Sequence, residues 1–148
     1  MGILTQEIKD FVNKQRMGFV ATVSPDNSPN LSPKGTTVVY TDEHLIFTGI
    51  RSEHTLSNLE KNPLVDINVV NPIKRKGYRF KGTATIISEG KEFENILNQY
   101  RDLGIKSKVK AIVLVKVNSA ELITSPLYDL GLSEQEIESE WTQRYSSD

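Results

Sequence analysis

The spacing of apolar and polar positions changes period several times along the 148 residues. Near the start, Ile8, Phe11 and Val12 recur at helical spacing behind Thr5, whose hydroxyl suits an N-cap, so a short amphipathic helix is predicted. Gly18 breaks that period. Phe19 to Ser24 is β-prone and Pro25-Asp26-Asn27-Ser28 is dense turn chemistry, so Phe19–Ser24 and Asn30–Ser32 are predicted to flank a hairpin. Thr36 to Tyr40 reads as a β-branched strand, Asp42-Glu43 as a turn, and Leu45 to Thr48 as the returning strand. Leu56 and Leu59 then mark the apolar face of a short helix from about Ser52 to Lys61. Asn62-Pro63 ends it, because the residue before a proline is pushed out of the helical region.

Leu64 to Val70 is a mixed apolar strand, followed by a basic loop from Asn71 to Gly77. Tyr78 to Ile87 is a long strand that places Tyr78, Phe80, Gly82, Ala84 and Ile86 on one face. Phe93, Ile96, Leu97 and Tyr100 define a helix over Lys91 to Leu103. Val109 to Val117 is the most apolar strand, resumed at Glu121 to Thr124 after Asn118-Ser119. Ser133 and Glu136 form a capping box opening a last helix, on which Ile137, Trp141 and Tyr145 make an aromatic-rich stripe. Short strands with helices between some of them, and no repeat or linker, predict one mainly β, α+β domain: a closed or nearly closed barrel with helical attachments.

Composition narrows the chemistry. Lys plus Arg (18) nearly balance Asp plus Glu (19), against the basic excess that general nucleic-acid binding needs. The chain has no cysteine, which excludes disulfides, thiolate metal sites and cysteine nucleophiles and is compatible with a cytoplasmic home. Two histidines, His44 and His54, argue against a multi-histidine metal site. The N-terminal segment lacks the pattern of a signal peptide, Gln6 departs from a myristoylation motif, and no stretch reaches the ~18 apolar residues of a membrane span.

Two clusters carry candidate chemistry. Arg51, Ser52, His54 and Thr55 follow a strand at a helix start, where unpaired N–H groups collect anions and an arginine fork suits phosphate oxygens. A plain Ser52 N-cap beside a solvated Arg51 fits the same residues. In Ser32-Pro33-Lys34-Gly35, Pro33 fixes a dihedral and Gly35 permits close approach, which holds Lys34 beside a ligand; an edge-strand break with a solvated lysine is the alternative. There is no P-loop, no G-x-S-x-G elbow and no H-E-x-x-H motif. Lys74-Arg75-Lys76 with Tyr78 and Phe80 is the only feature suggesting a nucleic-acid surface, and the balanced charge speaks against it.

In order, the pieces GFVATVSPDNSPNLSPKG, LIFTG, RSEHTLSNLEKNP, VDINVV and GYRFKGTATII resemble the pyridoxamine 5′-phosphate oxidase-like family of FMN-binding split barrels, from Met17 to about Thr124. The resemblance implies a split β-barrel with flanking helices over residues 1–148, dimeric, with FMN in grooves at the subunit boundary. It places Ser32, Pro33, Lys34 and Gly35 along the flavin or its phosphate and backbone contacts at Thr48 and Gly49. Arg51, Ser52, His54 and Thr55 would hold the phosphate and ribityl chain, with Asn58 a weaker contact. Tyr128 in SPLYDLG and Trp141, on a helix at about 133–145, would cover the flavin of the same or the other subunit.

The arginine-x-histidine pair of pyridoxamine phosphate oxidase proper has no counterpart after His54, and His54-Thr55 stand where that oxidase has an arginine-lysine pair. The resemblance therefore implies a short family member, an FMN-dependent oxidoreductase with a small-molecule substrate and NADH or NADPH as a candidate donor. No nucleic-acid or membrane partner is implied. A non-catalytic flavin carrier, sensor or stress protein, or a barrel using deazaflavin or haem instead, are the alternatives. No catalytic residue is indicated.

Overall fold

A computed structural model describes residues 2–147. Helix α1 (Gln6–Gln15) is capped by Thr5, whose hydroxyl accepts the Ile8 N–H at 3.3 Å. Strands β1 (Gly18–Val23) and β2 (Pro29–Lys34) form the predicted hairpin. Asp26 accepts from the Ser28 N–H at 3.0 Å in its turn, and Asn27 adopts the left-handed backbone that asparagine tolerates. β2 runs on to Lys34, two residues past the expected Asn30–Ser32, so Pro33 and Lys34 are strand residues too. Proline is admissible there because β2 is an edge.

β3 (Val38–Thr41) and β4 (His44–Gly49) follow, then α2 (Glu53–Lys61), β5 (Leu64–Asn71) and β6 (Lys76–Ile87). Helix α3 (Lys91–Asp102), β7 (Ala111–Thr124), a 3-10 turn at Pro126–Leu130 and α4 (Glu134–Ser146) complete the chain. The strand at Thr36–Tyr40 begins later than its β-branched run suggests, because the Thr37 N–H goes to the Arg16 and Lys34 carbonyls and the Thr48 N–H to the Thr36 hydroxyl, outside the ladder. Seven antiparallel strands lie in the order β2-β1-β5-β6-β7-β4-β3, the split-barrel fold. Asn118 is the extra residue in β7, between Val117 opposite Gly82 and Ser119 opposite Lys81; this bulge lets one long strand serve both halves of the sheet.

Alternation sorts the core into two bodies. Val20, Phe47, Ile67, Phe80, Val113 and Val115 fill the barrel, whereas Ile46, Ile112, Phe93, Ile96 and Tyr100 pack under α3. β4 and β7 contribute to both bodies, which is why they read as continuous apolar runs. Phe80 is fully buried and cannot serve as a stacking surface for bases. No helix among the described residues is long and apolar enough to cross a membrane.

Candidate functional site

The buried polar or charged side chains of the described residues are Thr22, Lys34, Thr37, Thr48, Ser52, Thr55 and Asn58. Five of them are residues singled out from the sequence. The other two support that set directly, so the buried polarity belongs to one seam where β1, β2 and β4 meet α2.

Lys34 closes β2 with its side chain turned inward, only 6% exposed. Its Nζ donates to Ser52 Oγ at 2.7 Å, a neutral partner, and no carboxylate among the described residues pairs with it. Burial holds the Lys34 ammonium below the usual lysine range. The alternative of a solvated lysine is thereby excluded. The backbone beneath is fixed as well, since the Thr37 hydroxyl donates to the Lys34 carbonyl at 2.8 Å.

Ser52 occupies the N-cap position of α2, yet its hydroxyl makes no capping bond. It turns to Lys34 instead. The N-cap reading is thus correct in position and wrong in role, because the buried ammonium, without an anion, takes the serine oxygen. The first N–H groups of α2 are consequently left without a side-chain cap, beside a buried cation. Arg51 and His54 are exposed on the same turn, and neither makes a side-chain hydrogen bond or ion pair among the described residues. Thr55 is buried one turn into the helix.

Thr48 and Gly49 are already committed within the chain. The Thr48 N–H donates to Thr36 Oγ1 at 3.0 Å, and the two hydroxyls lie 2.9 Å apart. At Gly49 a Cβ would come within 2.9 Å of Leu56, so the missing side chain serves helix packing. The Asn58 amide donates to Thr22 Oγ1 at 3.0 Å, tying α2 to β1. Gly35 and Pro33 are exposed and Ser32 is half-buried. Thr22, Thr36 and Thr37 escaped the sequence reading, although Thr22 shares the inward face of β1 with Val20, where a polar residue is itself a signal.

Tyr128 and Trp141 lie elsewhere in the chain. The Tyr128 hydroxyl donates to the Lys74 carbonyl at 2.6 Å, and the Arg75 guanidinium sits 3.9 Å over the Trp141 ring. Lys76 pairs with Glu134, which lowers the Glu134 carboxyl and raises the Lys76 ammonium, each chiefly by their shared hydrogen bond. These contacts strap the tail to the end of β7 at Thr124, while Gly49 pairs with Ala111 at its beginning. Thirteen residue steps of β7 separate the two ends, roughly 40 Å of strand. No hydrogen bond, ion pair or aromatic contact among the described residues joins Tyr128 or Trp141 to Lys34 or α2. Within one chain the tail does not cover the seam.

A seven-stranded split barrel with a buried lysine at a helix start defines the class of protein. The sequence model described as pyridoxamine 5′-phosphate oxidase matches residues 4–123, and the chain belongs to the pyridoxamine 5′-phosphate oxidase-like family. Among solved structures, HupZ of Group A Streptococcus is 32% identical, with 82% of this chain and 95% of that chain covered and a TM-score of 0.75. An FMN-binding protein from Syntrophomonas wolfei subsp. wolfei is 15% identical over 81% and 86% of the two chains, with a TM-score of 0.67. An F420 reductase is 17% identical over 80% and 98%, with a TM-score of 0.63. No curated protein matches the chain.

Proposed function

We propose that this protein binds FMN with its phosphate at Lys34 and the start of α2, as a homodimer acting as an oxidoreductase on a small molecule. The observation that carries the reading is the buried Lys34 ammonium, partnered only by Ser52 Oγ at 2.7 Å. A buried charge without an opposite charge is costly, and a phosphate dianion at the uncapped helix start supplies what is missing. Arg51 and His54, free on the same turn, add donors from the solvent side. The FMN-binding and F420-using proteins on the same fold support a flavin-type occupant.

The homodimer rests on the family and on an exposed apolar strip. Phe19, Leu31 and Leu64 are 40%, 68% and 58% exposed, and the strand register sets all three on the outward face of β1, β2 and β5. In such a dimer Tyr128 and Trp141 reach the flavin of the partner subunit. Bound FMN supplies the reversible uptake of electrons, and the protein orients it and excludes water.

A second reading, a non-catalytic flavin carrier or sensor, is favoured by the chemistry of the seam, which holds no buried carboxylate or imidazole to act as an acid or base. FMN titration tests the binding itself. Flavin quenching and a rise in melting temperature are expected, equivalent to about 2.7 kcal/mol at a hundredfold excess over Kd. A titration that produces neither overturns it. Steady oxidation of NADH or NADPH by the flavin-loaded protein then separates the enzyme from the carrier.

A further inference from the structure

Between α1, α3 and the edge strand β3 lies another cavity, of about 490 Å³, among whose walls are Asn13, Arg16, Val38, Asn98, Gln99 and Asp102. Its size falls within the ~300–1,000 Å³ of small-molecule sites. Its amides are oriented by the strand below. Asn13 Oδ1 accepts the Val39 N–H at 2.9 Å, and Gln99 Nε2 donates to the Val39 carbonyl at 3.2 Å. The Asn13 amino group and the Gln99 amide oxygen are left without partners among the described residues.

Two opposite charges line this cavity. Neither Arg16 nor Asp102 takes part in an ion pair among the described residues. Asp102 gains nothing from its neighbour, because the Arg101 guanidinium donates to the carbonyls of Ile105 and Ser107 at 2.7 and 2.9 Å. The charge of Arg16 is felt at the buried Tyr100 hydroxyl of α3. Its backbone is in the left-handed region, at φ 62°, where glycine or asparagine is the unstrained choice. That conformation is held on both sides, by its own N–H to the Val12 carbonyl and by the Thr37 N–H to its carbonyl at 3.0 Å. Strain kept in place by its surroundings is a mark of functional positions.

We propose that this cavity binds a small zwitterionic α-amino acid, with its carboxylate on Arg16 and its ammonium on Asp102. The planar arginine fork matches a carboxylate, and the free amide groups of Asn13 and Gln99 meet the remaining polar atoms. Asp102 stands exposed at the rim and Arg16 is half-buried; a zwitterion matches both charges, a singly charged ligand matches one and an uncharged ligand neither. The site does not depend on the flavin reading.

Calorimetric titration of the full chain without added flavin tests it, with L-serine and L-glutamine as probes. Saturable binding of at least one is expected, weakened tenfold or more for the bound probe's N-acetyl and carboxamide derivatives. Arg16→Gly suits the left-handed backbone while removing the guanidinium, so it keeps the fold and loses tenfold or more in affinity, as does Asp102→Asn. The proposal is overturned by no saturable binding of either probe up to about 10 mM, or by binding that persists in both variants or ignores the loss of either charged end.

Discussion

Lys34 Nζ donates to Ser52 Oγ at 2.7 Å, and that bond takes the Ser52 hydroxyl away from the helix it would otherwise cap. Replacing Lys34 by methionine keeps the stem and removes the charge. The variant is expected to melt no lower than the native protein, because a buried ammonium without an anion contributes little to folding. FMN affinity is expected to fall about 10- to 100-fold, the loss of one charge-assisted contact of ~1.5–3 kcal/mol. Calorimetry and thermal melts read both effects.

The same bond separates two roles for Ser52. Ser52→Ala is expected to cost more in the native background, where it strands the buried Lys34 ammonium, than in the Lys34→Met background, where the freed hydroxyl returns to cap α2 and its loss costs about 1 kcal/mol. By contrast, Ser133→Ala removes a true cap, from Ser133 Oγ to the Glu136 N–H at 3.1 Å, and is expected to cost about 1 kcal/mol. Urea unfolding measures all of these. A cost in the native background no larger than in Lys34→Met would mean that Lys34 does not depend on the hydroxyl.

The alkaline limb of the stability curve follows from two buried groups of opposite sign. Lys34 is held low by burial, so the folded state binds fewer protons than the unfolded one between its folded value and 10.5. Its burden is present below the folded value and is relieved as pH rises through it. Tyr100 is held far above 10 chiefly by burial, so its unfolded form ionises first, and stability falls as pH rises above 10. Ultraviolet titration is expected to show Tyr100 silent until the protein unfolds. Tyr100→Phe, which leaves the Thr36 carbonyl without its 2.8 Å donor, is expected to cost about 1–2 kcal/mol.

Glu134→Gln breaks the Lys76 pair that straps α4 to the sheet. Both side chains are substantially exposed, so the global cost is expected to stay below about 1 kcal/mol. Trp141, the only tryptophan, is expected to become more accessible to acrylamide quenching as the tail loosens. Acid does the same: Glu134 is held below its ordinary 4.5, so its contribution is present above that value and lost as pH falls through the lowered one.

Leu31→Glu places a charge in the outward strip with Phe19 and Leu64. Size-exclusion chromatography is expected to show a monomer with weakened FMN binding, because in the proposed dimer the partner completes the flavin groove. A dimer unaffected by this charge would move the interface to another face.

Local chemistry is what the sequence by itself determined. Thr5 and Ser133 cap the helices their spacing announces, Asp26-Asn27 makes the hairpin turn, and the even run of β4 and β7 marks strands buried on both faces. These signals lie within a few residues of what they specify. Five of the seven buried polar side chains were also legible, since Lys34, Thr48, Ser52, Thr55 and Asn58 stand in a recognisable order of motifs. Tertiary structure alone decided what those residues do. Whether Lys34 is solvated or buried depends on how β2 folds against α2, eighteen positions away at Ser52. That burial turns Ser52 from a cap into a partner; the fold also sets Thr36 and Thr37 beneath the site and, at the far end of β7, places Tyr128 and Trp141 against the Lys74–Lys76 hairpin. A serine oxygen has a short reach, and one rotamer turns it toward one donor at a time. Which of two nearby donors it answers is settled only when the end of β2 is folded against the start of α2, bringing the Lys34 ammonium within hydrogen-bond distance.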